Sequence, residues 1–140
     1  MKKYLSCFVI ILFLSLVFIL CFIFIKPGLL KFDRVDEYIY FINHVEEIDK
    51  IVLESYTMLG KKNYLINNEI GTDFLTNLKI RKKFNGMITD SDMSLCVYFK
   101  NTRKKCFDFE AEYFKYNGVK YSVNKNIYDL INNNEIEILE

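Results

Sequence analysis

Two cysteines ten residues apart, Cys96 and Cys106, are the residues whose type and spacing most directly suggest chemistry. Met93, Leu95, Val97 and Phe99 alternate with Ser94, Cys96, Tyr98 and Lys100, and Phe107 and Phe109 alternate with Cys106, Asp108 and Glu110. That period of two describes two half-buried strands, with Lys100-Asn101-Thr102 as the loop between them. A register that sets Cys96 opposite Cys106 also sets Leu95 against Phe107 and Met93 against Phe109 on the other face. Apolar pairing and cysteine pairing select the same register, so a disulfide is expected. Closing so short a loop stabilises by ~2–3 kcal/mol in the chain-entropy model, and the bond persists only in an oxidising compartment. Zinc is the poorer reading, because the spacing lacks the C-x-x-C form and His44, the one histidine, is far away in sequence.

The other chemistry-bearing residues have plain explanations. His44 lies beside Glu46 and Glu47 on the polar side of an expected helix, where solvation explains it better than a role as base or pH switch. Asp90-Ser91-Asp92 lacks the glycine and distal glutamate of a calcium loop and reads as a polar turn. Two basic clusters, Lys79/Arg81/Lys82/Lys83 and Lys100/Arg103/Lys104/Lys105, fit charged strand edges and loop tips that discourage aggregation. The alternative is a contact with an acidic partner or anionic headgroups. Lys100, Arg103, Lys104 and Lys105 are the candidate interaction surface on that view. No nucleotide loop, nucleophile elbow or metalloprotease motif occurs. No catalytic, cofactor-binding or metal-binding residue is expected, and no cofactor.

The elements that must position these groups begin with Tyr4–Ile25, 22 residues without a charge. As one helix they would span roughly 33 Å, slightly more than a bilayer's hydrocarbon core. The run is long for a cleaved signal and ends in Phe22-Ile23-Phe24-Ile25 rather than in small residues. Residues 1–25 are therefore expected to be an uncleaved transmembrane signal-anchor, contacting the lipid bilayer through residues 4–25. Residues 26–32 follow as a hinge around Pro27-Gly28, and residues 33–140 as one small extracytoplasmic domain on the inner (cytoplasmic) membrane. Positive charge is nearly balanced across the run, so orientation is taken from the short basic head before it.

Asp33 can cap a helix, and Val35, Tyr38, Ile39, Ile42, Val45, Ile48, Val52, Tyr56 and Leu59 recur at three- and four-residue spacing before Gly60. One long amphipathic helix is expected there. A short helix from Thr72 runs into a strand ending at Asn85-Gly86. The apolar phase of the strand after Cys106 slips near Ala111-Glu112, which predicts a bulge or break. Tyr116-Asn117-Gly118-Val119 is the strongest hairpin signal. A helical turn over 127–131 and a last strand over 135–138 complete the expected fold: α+β, with an N-terminal transmembrane helix and a long amphipathic helix on an antiparallel sheet of four to six strands.

Without Lys2 and Lys3 the balance is 17 Lys/Arg against 18 Asp/Glu, which disfavours nucleic acid. The outline resembles type IV pilins, but the prepilin glycine and the glutamate after it are missing. A membrane-anchored, non-catalytic protein-binding domain is the expectation, in sharpest form a toxin-neutralising immunity protein. The alternative is an assembly or structural subunit of an envelope machine.

Overall fold

A computed structural model describes residues 13–17, 30–87, 92–132 and 137–139. Among the described residues eight strands make one antiparallel sheet: β1 (Ile48–Thr57), β2 (Gly60–Ile66), β3 (Ile80–Phe84), β4 (Met93–Phe99), β5 (Lys104–Glu110), β6 (Tyr113–Tyr116), β7 (Val119–Val123) and β8 (Glu137–Leu139). Their spatial order is β3-β7-β6-β5-β4-β1-β2-β8. Among the described residues the short helices α1 (Asp36–Asn43), α2 (Asn68–Thr76) and α3 (Asp129–Asn132) accompany it. The content is α+β, but the sheet dominates and exceeds the expected four to six strands.

The long amphipathic helix is the main correction. It stops at Asn43, and Ile48–Thr57 is the longest strand, paired with both β2 and β4. Four residues is close to one helical turn and is also twice the strand repeat, so Ile48, Val52 and Tyr56 fit either structure. The contiguous Ile51-Val52-Leu53 settles the matter, because all three are buried and both faces of β1 must be covered. β-Branched residues favour that environment. Gly60, read as a helix stop, is instead the left-handed residue of the β1–β2 hairpin, with φ +121°.

The transmembrane helix is the second correction. Of residues 4–25 only 13–17 are described; they are helical and exposed, and the rest of that expectation lies outside the described residues. Among the described residues no helix is long and apolar enough to cross a membrane. A span needs about 20 residues in one helix, and α2, the longest labelled helix, has 9. A single-pass placement in the inner membrane, with the extracytoplasmic orientation that depended on it, is accordingly not supported.

The core lies between the helices and one sheet face. Alternation places Ile51, Leu53, Leu95, Val97, Phe107 and Phe109 there, and Phe32, Val35, Phe41, Phe74, Leu75, Ile127 and Leu130 close over them. Phe32, in a single 3₁₀ turn, meets Phe114 edge-on with 5.0 Å between ring centres. α2 starts at Asn67, whose side chain accepts hydrogen bonds from the Glu69 and Ile70 amides. It approaches β1 through Gly71, where a Cβ would fall 2.7 Å from Ile51 Cδ1.

Several local expectations agree with the structure. The short helix through Phe74 and Leu75 exists, although it starts before Thr72, and the strand after it ends at Phe84. The phase slip at Ala111-Glu112 is a two-residue turn between β5 and β6, with Ala111 at φ 49°. Asn117-Gly118 turns the β6–β7 hairpin with φ 49° and 71°. The last strand covers Glu137–Leu139, with Glu135 and Ile136 outside the described residues. β2 has no counterpart in the sequence reading, which left Asn63 to Ile66 unassigned.

Candidate interaction surface

The register of β4 on β5 is the one required for the disulfide: Leu95 opposes Phe107, Met93 opposes Phe109 and Cys96 opposes Cys106. Cys96 and Cys106 are bonded, with Cα atoms 4.1 Å apart across the two strands. The bond lies on the sheet face away from the helices, and Cys96 is wholly buried there. It braces the hairpin that carries the candidate basic residues.

Strand alternation splits that basic cluster between the two faces. Lys104 points to the face bearing the disulfide, where its Nζ is 2.8 Å from Glu54 Oε1. Lys61 reaches Glu54 Oε2 at 2.9 Å, and the Tyr56 hydroxyl donates to the same oxygen at 2.9 Å. Lys50 and Lys104 lie over the Tyr98 ring, 5.2 and 5.1 Å from its centre. These long side chains lying flat explain how Glu54 is only 5% exposed on a face without core aromatics. Desolvation pushes the Glu54 carboxyl up, but hydrogen bonds from Lys104, Lys61 and Tyr56 together outweigh it and hold its pKa at about 2.

Arg103 and Lys105 turn the other way, toward α1. Arg103 Cζ and Lys105 Nζ lie 5.4 and 5.2 Å from the centre of the Tyr40 ring. His44 stacks on Tyr40 with 4.0 Å between ring centres. Its Nδ1 is 2.8 Å from the Tyr40 carbonyl oxygen, which can only accept, so Nδ1 carries the proton of that bond. Asn101 Nδ2 donates to the Tyr40 hydroxyl at 3.0 Å, and the Asn101 side-chain oxygen accepts from the Arg103 amide. The Lys100 amide donates to the Glu47 carbonyl, which ties the loop to the turn before β1. Among the described residues neither Arg103 nor Lys105 has a carboxylate partner.

The other candidates separate in space. Arg81, Lys82 and Lys83 occupy β3, an edge of the sheet, where exposed charges oppose strand addition. Asp90 and Ser91 fall outside the described residues. Among the described residues no group of three His, Cys, Asp or Glu side chains is arranged to hold a metal. Glu37, Asp108, Lys115 and Tyr116 line a cleft of about 190 Å³, in which Glu37 Oε2 is buried without a hydrogen bond among the described residues. That volume is below the ~300 Å³ at which small-molecule sites begin.

Sequence reasoning missed Tyr40, Glu54 and Tyr98, the residues on which the cations are organised. Glu54 and Tyr98 become visible only when β1 is read as a strand beside β4. Tyr40 carried a signal, since it lies four residues before His44 on α1. Comparison with family models, with curated proteins and with solved structures finds no match.

Proposed function

We propose that this chain is a non-catalytic protein-binding domain and that the β4–β5 hairpin tip, with Lys100, Arg103 and Lys105, meets an acidic surface of its partner. The observation that carries this reading is the pair Arg103 and Lys105, held over one aromatic ring with no carboxylate partner among the described residues. Cations fixed in place lose less conformational freedom on pairing than free side chains, so they favour a charged partner over solvent. Lys104 does not belong to that surface, because Glu54 engages it. A toxin-neutralising immunity protein would use such a surface, but the membrane anchor that motivated the narrower role has lost its support.

A photocrosslinking residue introduced at Lys100 tests the proposal in the native host. One stoichiometric adduct is expected, lost on Arg103→Glu/Lys105→Glu while the variant stays folded. Failure to trap any stoichiometric protein, or an adduct indifferent to the charge reversal, would refute it.

A further inference from the structure

The β1–β2 hairpin turns through Met58 and Leu59, between the paired residues Thr57 and Gly60. Gly60 supplies the one left-handed φ of this turn, and Thr57 Oγ1 closes it by donating to the Gly60 carbonyl at 3.0 Å. Neither Met58 nor Leu59 has a positive φ, so small polar residues would serve the turn equally well. Yet Leu59 is 97% exposed and Met58 fully so. Single exposed apolar residues are ordinary, but two large ones together at a protruding tip are not demanded by the fold.

Their neighbours indicate what covers them. Tyr56, 47% exposed, and Lys62 stand just below the tip, beside Lys61, whose Nζ is engaged by Glu54 at 2.9 Å. Tyrosine and lysine carry an apolar body and a polar end, which suits the boundary between lipid tails and headgroups. An apolar wedge beside a lysine that no carboxylate engages among the described residues complements an anionic bilayer surface, where the wedge enters the acyl region and Lys62 meets headgroup phosphates and carboxylates. A protein pocket would need to match the wedge but would not call for Lys62 beside it. We propose that the Met58–Leu59 tip is a peripheral membrane-contact element selective for anionic lipid. It requires no spanning helix, and it is independent of the hairpin tip assigned to protein binding, which lies at the opposite end of β1.

The chain contains no tryptophan, so Leu59→Trp in the full-length protein places a unique fluorophore on the tip. It reports the tip itself, however the remainder of the chain associates with vesicles. With phosphatidylcholine/phosphatidylserine vesicles the emission should shift to the blue and be quenched by brominated acyl chains. Lys62→Gln in the same background should weaken the affinity read from that signal ~fivefold, and raised salt should weaken it further. A tryptophan signal unmoved by these vesicles, whether or not the protein co-sediments with them, would overturn the proposal. An equal response to neutral vesicles would overturn the anionic selectivity. Blue-shifted emission before vesicles are added would mean that protein already covers the tip, and would overturn it as well.

Discussion

Glu54 shows most clearly how one residue can be settled by its surroundings. Its pKa of about 2 lies below the 4.5 of a free glutamate, because three donors stabilise the carboxylate more than burial penalises it. A lowered folded-state pKa gives stability that is complete above the unfolded value and is lost as pH falls through the folded one. The window is therefore pH 4.5 down to 2. The full shift would exceed 3 kcal/mol, but partners 44% and 38% exposed are screened, which reduces it to about 2 kcal/mol. Urea titrations should show the wild-type protein losing most of that difference relative to Glu54→Gln between pH 5 and pH 2.5. Parallel curves would show that the cluster contributes nothing. The cysteine pair was legible at this scale because two independent patterns fixed one register. Glu54 was not, since its value depends on Lys61 and Lys104, residues 7 and 50 positions away.

Among the elements, those whose signal is local were legible: Asn117-Gly118, with its steric demand for left-handed backbone, and the alternation of β4 and β5. β1 was not, because its four-residue spacings satisfy a helix and a strand alike, and burial of both faces comes from neighbours far along the chain. The contact of α2 with β1 gives this scale its prediction. Gly71→Ala would gain helix propensity while crowding Ile51, two effects of opposite sign. Gly71→Val adds bulk without that gain and should destabilise by ~2–3 kcal/mol in chemical denaturation. An unchanged midpoint would mean that α2 is free to ride away from the sheet.

For the whole molecule, the strand order divides one sheet into two local parts. β4 to β7 form a meander of sequential antiparallel pairs and β1–β2 a separate hairpin, joined by the pairing of β1 with β4. The ~33 Å length of β1 sets the Met58–Leu59 tip and the Arg103 loop at opposite ends. The disulfide crosses the meander next to the joining seam, with the apolar pairs behind it fixing the same register. Cys96→Ala/Cys106→Ala should therefore still fold, with a loss of about 2 kcal/mol.

The seam also governs the order of assembly. Val52 and Cys96 are partners 44 residues apart, and pairings that distant close slowly compared with a hairpin. If the meander is built before the seam closes, its crosslink already acts in the transition state. Stopped-flow kinetics of the two-alanine variant should then show refolding slowed ~thirtyfold and unfolding unchanged. The opposite partition would place closure of the seam ahead of the meander.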